Sequence, residues 1–202
     1  MPRSPREATR PLAPSPRRAR GALSLAGGAA ALLAALLAPA PEAHAFERQW
    51  HLGAGAGYTA YIDPSGVALH GAGGALHLTY GISDTLNVLA IADFSAHAPG
   101  TTSEGAPVSG LMLAGASGGL AYVFDILQWV PWVGATLGGY YAFDNPSPGG
   151  RLALSVPFGL DYQISRSFAV GASGQYSLFF LDPGGVGQRF GGFIRAEYIW
   201  GY

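Results

Sequence analysis

From Trp50 onward, apolar side chains recur at every second position far more regularly than at helical spacing. Across residues 151–164, Leu152, Leu154, Val156, Phe158, Leu160, Tyr162 and Ile164 alternate with Arg151, Ala153, Ser155, Pro157, Gly159, Asp161 and Gln163. Residues 168–180 repeat the alternation, with Phe168, Val170, Tyr176, Leu178 and Phe180 on one side. Successive side chains of a strand point to opposite faces, so these segments are predicted strands. The same template predicts strands at 50–61, 69–82, 86–97, 111–124, 129–143 and 188–202. That makes eight, and most reach the roughly 9 to 11 residues a tilted strand needs to cross a bilayer.

The connections alternate in length. Those after the second, fourth and sixth predicted strands are tight: Ser83-Asp84-Thr85, residues 125–128 and Ser165-Arg166-Ser167. The others are longer and rich in Pro, Gly and Asp, as in 99–110, 145–150 and 182–187. A transmembrane barrel with an even strand count and both termini in the periplasm has short periplasmic turns and longer external loops in this order. The predicted fold is all-β, an eight-stranded antiparallel up-and-down transmembrane barrel.

Charge decides between this barrel and a soluble lipocalin-like one, which would hold an apolar ligand inside and show charge outside. Charged residues make up 11% of the chain, against roughly 25% in soluble domains. Most stand in turns, loops or strand ends, where Arg189 is also placed. Asp93, Arg151, Asp161, Arg195 and Glu197 fall within strands, all on the face that alternates with the apolar one. An arginine turned outward at mid-bilayer costs about 2–4 kcal/mol, so a lipid-facing wall is kept free of charge. Outward aromatics fall in two bands: Trp50, Tyr80, Phe124, Trp129, Tyr162, Phe168, Trp200 and Tyr202 at one end, and Tyr58, Phe94, Tyr141, Phe143 and Phe180 at the other. Such girdles mark the two membrane interfaces.

Residues 1–45 have the three parts of an export signal. These are a basic segment with Arg17, Arg18 and Arg20, an apolar run over 21–37, and the small-residue site Ala43-His44-Ala45. Cleavage is expected between Ala45 and Phe46, leaving residues 46–202 as the barrel domain with five arginines against ten acidic residues. The chain has no lysine and no cysteine. A nucleic-acid surface, a disulfide framework and a thiolate site are thereby excluded, and no cofactor is expected.

Local motifs add a family resemblance. Tyr122-Val-Phe-Asp125, then residues 129–135 (Trp-Val-Pro-Trp-Val-Gly-Ala), Gly138-Gly139 and residues 159–164 (Gly-Leu-Asp-Tyr-Gln-Ile) resemble the eight-stranded outer-membrane β-barrel superfamily, of which OmpA, OmpX and OmpW are types. The resemblance spans about 46–202, and no periplasmic domain is expected beyond it. Tyr198, Trp200 and Tyr202 resemble the C-terminal β-signal read by the barrel-insertion machinery. The resemblance implies the cell outer membrane, with membrane lipids and lipopolysaccharide as surroundings. It also implies a structural barrel or a narrow porin-like passage for small or apolar solutes. Oligomeric state stays open.

Candidate chemistry is sparse. His51, His77, Asp161, Arg195 and Glu197 are expected at similar depth on the inner face, as a polar cluster in the periplasmic half of the lumen. The competing class is an outer-membrane lipid-modifying enzyme, for which only His70 and His97 are suitably placed. Neither has a sequence-local Ser and carboxylate partner, and there is no Gly-x-Ser-x-Gly elbow, so no catalytic role is expected. A metal site at His51, His77 and Glu197 is weaker than a set of hydrogen-bonded lumen histidines. Two local departures stand out: Pro157 inside a strong strand predicts a bulge, and Gly53, Gly55 and Gly57 leave an inner face bare.

Overall fold

The computed structural model describes residues 48–124, 128–143, 149–182 and 185–201. The expected cleavage site at Ala45 and Phe46, and Tyr202, lie outside them. Ten strands are present among the described residues: β1 (Trp50–Ile62), β2 (Ala68–Gly81), β3 (Leu86–His97), β4 (Gly100–Thr101), β5 (Pro107–Val108), β6 (Leu111–Val123), β7 (Trp129–Phe143), β8 (Gly149–Ser165), β9 (Phe168–Asp182) and β10 (Gly185–Trp200). Eight of them close into an antiparallel barrel in the order β1-β10-β9-β8-β7-β6-β3-β2. Each neighbours the next long strand in sequence, and β1 pairs with β10 to shut the seam. The short β4 and β5 form a hairpin within the loop after β3. We call the end where β1 starts and β10 finishes the terminus end, and the opposite end the loop end.

The alternation runs inside out relative to a soluble barrel. Along β8, Leu152, Leu154, Val156, Phe158 and Leu160 lie on the outer wall, while Arg151, Ala153, Ser155 and Asp161 are buried in the lumen. The same holds around the barrel, with Leu76, Leu137 and Ile194 at 59%, 61% and 74% exposure. The inner space is filled by side chains, as expected for eight strands. Toward the loop end the filling is apolar: Tyr61, Leu69, Leu111, Leu113, Tyr140, Ala142, Ala153 and Phe179 pack together, with Val67 and Val108 against them.

Two expectations are corrected. The last strand begins at Gly185 rather than Gln188, so Arg189 is not at a strand end but inside β10, facing the lumen at 2% exposure. Its glycine-rich approach reads as a loop, yet inter-strand pairing extends through it. The bulge expected at Pro157 is also absent. Val133 pairs with Phe158 and Thr136 with Ser155, so the register is unchanged across the gap, and only the pairs of Gly134 and Ala135 drop out. The register shift in β8 falls instead between Gln163 and Ser165. Pro157 removes one donor without adding a residue, so the ladder skips a step and keeps its count.

This interruption predicts a local exchange pattern. Phe124 N donates to the Pro131 carbonyl on the β6 side, so by alternation Trp132, Gly134 and Thr136 direct their amides to β8. Native-state hydrogen exchange is expected to be faster at Gly134 than at Trp132 and Thr136. Equal protection at all three would show that Gly134 still donates to the Pro157 carbonyl.

Candidate functional site

The five lumen residues come from four strands and meet near the terminus end. Arg195 and Glu197 are two apart on β10, hence on one face, and form an ion pair. Arg195 Nε lies 3.1 Å from Asp161 Oδ1. His77 Nε2 donates to Glu197 Oε1 at 2.7 Å and His51 Nδ1 to Glu197 Oε2 at 3.3 Å. Trp132 joins them: its indole N–H donates to Asp161 Oδ2 at 2.8 Å, and the Arg195 guanidinium lies 4.6 Å from its ring centre. All five are buried.

Glycines make these contacts possible. His77 and Glu197 both pair in register with Gly53, which sits on the strand between them. A Cβ there would overlap the His77 ring, so the bare position on β1 is the space their hydrogen bond crosses. Asp161 and Arg195 likewise flank Gly171 on β9, where a Cβ would overlap Asp161 Oδ1. Each polar pair bridges strands that are not neighbours, over a residue without a side chain.

A second polar centre lies nearer the loop end and uses the same device. Asp93 and Tyr140 flank Gly115 on β6, and the Tyr140 hydroxyl donates to Asp93 Oδ2 at 2.7 Å. Arg189 donates to Asp93 Oδ1 at 2.5 Å, and both side chains are 2% exposed. The Arg189 guanidinium lies 5.1 Å from the Tyr140 ring centre and 5.7 Å from that of Phe179. Arg151 donates to the Tyr61 hydroxyl at 2.9 Å. Sequence reasoning placed Asp93 and Arg151 inward but missed Arg189, Tyr140 and Trp132. Parity is the signal that would have found Arg189, since it shares the odd-numbered face of Arg195 and Glu197.

Between and below these centres little space remains. A cavity of about 40 Å³ lies near the terminus end, lined by His51, Thr79, Asn87, Asp161, Glu197 and apolar groups such as Val123 and Val130. Another of about 30 Å³ lies deeper, beside His77, Pro157, Gln175 and Phe193. At roughly 10–15 Å³ per water, they have room for about three to four and about two to three waters respectively. Leu89, Trp132 and Arg195 line both and form the partition between them.

On the outer wall, polar pairs tie neighbouring strands at both ends. Tyr58 is hydrogen-bonded to His70, and the Tyr176 hydroxyl donates to Gln188 at 2.8 Å, both toward the loop end. Tyr162 donates to Gln128 at 2.9 Å toward the terminus end, where Trp50 packs on Tyr80 and Trp200. Tyr198 and Trp200 are stacked with ring centres 5.8 Å apart. The two histidines considered for outer-leaflet chemistry do not share a face. His70 is exposed on the wall, whereas His97 is buried in the lumen and donates to the Leu111 carbonyl at 3.2 Å.

No family model and no curated protein matches this sequence. Solved structures do resemble it. Neisserial surface protein A matches with a TM-score of 0.54 at 17% identity, over 76% of this chain and 97% of that one. OprG, an outer membrane protein of Pseudomonas aeruginosa, matches with 0.54 at 10% identity, over 79% and 100%. Ail, the attachment invasion locus protein of Yersinia pestis, solved with the heparin analogue sucrose octasulfate, matches with 0.51 at 16% identity, over 76% and 99%. Closed strand order, outward apolar wall and these likenesses agree: the chain has the fold of the eight-stranded outer-membrane β-barrels.

Proposed function

We propose that the protein is a non-enzymatic integral barrel of the outer membrane whose lumen is closed to solutes, so that its role is structural. The observation that carries this reading is the filled lumen, crossed by two buried ion-pair layers and left with cavities of about 40 and 30 Å³. Neither is wide enough for a general porin path. Placement in a membrane is supported by the outer wall. Trp50 and Tyr58 bound its apolar stretch eight residues apart on β1, about 20 Å along a barrel axis tilted near 40°. Outer-membrane barrels carry an apolar band of about 25 Å.

In this reading residues 1–45 are removed on export, and both termini face the periplasm. Lipids and lipopolysaccharide surround the wall. The insertion machinery reads the last strand through Tyr198, Trp200 and Tyr202. Refolded protein in a planar bilayer is expected to give no steady single-channel current, and a stable conductance would refute closure. Recovery as a soluble periplasmic protein would refute the membrane placement itself.

A second reading has one observation in its favour. Arg195 and Trp132 are the wall between two water-sized cavities, so displacement of one side chain would join them. If the packing at the loop end also yields, the barrel becomes a narrow, gated passage for small solutes.

A further inference from the structure

The cluster at the terminus end is not electrically balanced. Asp161 and Glu197 bring two carboxylates and Arg195 one guanidinium, and His51 and His77 each hydrogen-bond Glu197, for which an uncharged imidazole with one N–H suffices. With both imidazoles uncharged, one negative charge is left over among the described residues of this cluster, and an uncompensated buried charge is strongly disfavoured. An independent observation points to the same place. Asn87, on β3, is 3% exposed and its Oδ1 accepts no hydrogen bond from the described residues. Asn87, Thr79, Asp161 and Glu197 line one cavity of about 40 Å³. An unpartnered carbonyl oxygen, a hydroxyl and two carboxylates thus line a space of about three to four waters.

We propose that this cavity binds one small monovalent cation, an alkali-metal ion or ammonium, held by Asn87 Oδ1 together with the carboxylates of Asp161 and Glu197. The donors are hard oxygens, which suits these ions. The deficit is a single charge, and Arg195, 3.1 Å from Asp161, opposes a second. Among the described residues no group of three or more His, Cys, Asp or Glu side chains could hold a metal ion, so this site rests on two carboxylates and an amide oxygen. The site compensates charge whether or not the lumen conducts, so it stands apart from the question of closure.

The test compares urea unfolding midpoints of the mature chain folded in detergent micelles. Chloride concentration and ionic strength are fixed, with sodium, potassium, ammonium or N-methyl-D-glucamine as the sole cation. Urea is used because guanidinium is itself a cation. A ligand that binds only the folded state raises the midpoint with its concentration. The midpoint is therefore expected to be higher in at least one small cation than in the bulky amine, and to rise with that cation's concentration. Asn87→Leu and Asp161→Asn should abolish the difference. Asp161→Asn still offers an acceptor to Trp132 and removes the surplus charge, so it remains informative if Asn87→Leu does not fold. Crystals grown in a thallium(I) salt should show an anomalous peak beside Asn87 Oδ1.

Equal midpoints in all four salts would overturn the site, as would an ion preference that survives Asp161→Asn. A midpoint that rises only as pH falls, with no preference among cations, would place the missing charge on an imidazole and also overturn it. A conducting wild-type barrel would refute closure and leave this result untouched.

Discussion

Arg195→Ala is expected to lower stability by about 3–5 kcal/mol, because it leaves Asp161 and Glu197 facing each other in the lumen without their shared cation. The loss should appear as a lower urea midpoint of the folded barrel. Arg195→Lys should recover only part of it. A lysine restores the charge but neither the planar fork that reaches both carboxylates nor the stacking on Trp132. The same variant separates the two readings of the lumen. If the barrel is only structural, Arg195→Ala unfolds more readily and stays electrically silent. If the partition at Arg195 and Trp132 is a gate, its removal joins the two cavities and small-ion current appears in a planar bilayer. An unchanged midpoint with unchanged current would mean that the guanidinium contributes nothing where it lies.

Gly57→Ala is expected to prevent closure of the barrel. Gly57 lies on β1 opposite Phe193 of β10, and a Cβ there would overlap the Gly192 carbonyl oxygen and stand 2.8 Å from Phe193 Cα. Both obstacles are backbone of the strand that shuts the seam, so no rotamer change relieves them. The expected result is loss of the compact band that a closed barrel keeps in unheated SDS. Gly139→Ala is the matched control. It lies on the outer wall of β7, where an added Cβ meets nothing within 4 Å, and it should fold like the parent or slightly better. Normal folding of Gly57→Ala would show that β1 and β10 pair in another register.

The barrel was readable because period two persists over strands of 12 to 17 residues, too long to arise from chance alternation. Parity also turned His51, His77, Asp161, Arg195 and Glu197 inward. What parity cannot say is which inward side chains touch. Trp132 reaches Asp161 on the adjacent β8, two positions from its register partner Gly159, and Tyr140 reaches Asp93 of β3 across Gly115, so both contacts depend on the register between strands. Register is set by the closed sheet as a whole. Arg189 was misplaced for a different reason: Gly185 and Gly187 carry a loop signal, but the pairing of β10 with β9 runs through them. The bare face at Gly53 looked like an empty stretch of lumen because its occupants belong to β2 and β10. At Pro157 the rule about a missing donor held, whereas the inference that a residue must be inserted did not.

The bonds of Glu197 to the two histidines also bear on the order of assembly. His77 and Glu197 are 120 residues apart in sequence, His51 and Glu197 146. No single hairpin brings either pair together, because each needs β10 already beside β1. Contacts of such long range come late in folding. The bonds from His51 and His77 to Glu197 therefore form only after the last strand has docked against β1, and they contribute little to the barrier the growing sheet must climb. Interactions absent from that barrier act on the reverse step. His51 and His77 should thus leave the rate of membrane insertion almost unchanged and slow the escape of β10 from the finished wall, which makes their hold on Glu197 a latch set by closure itself.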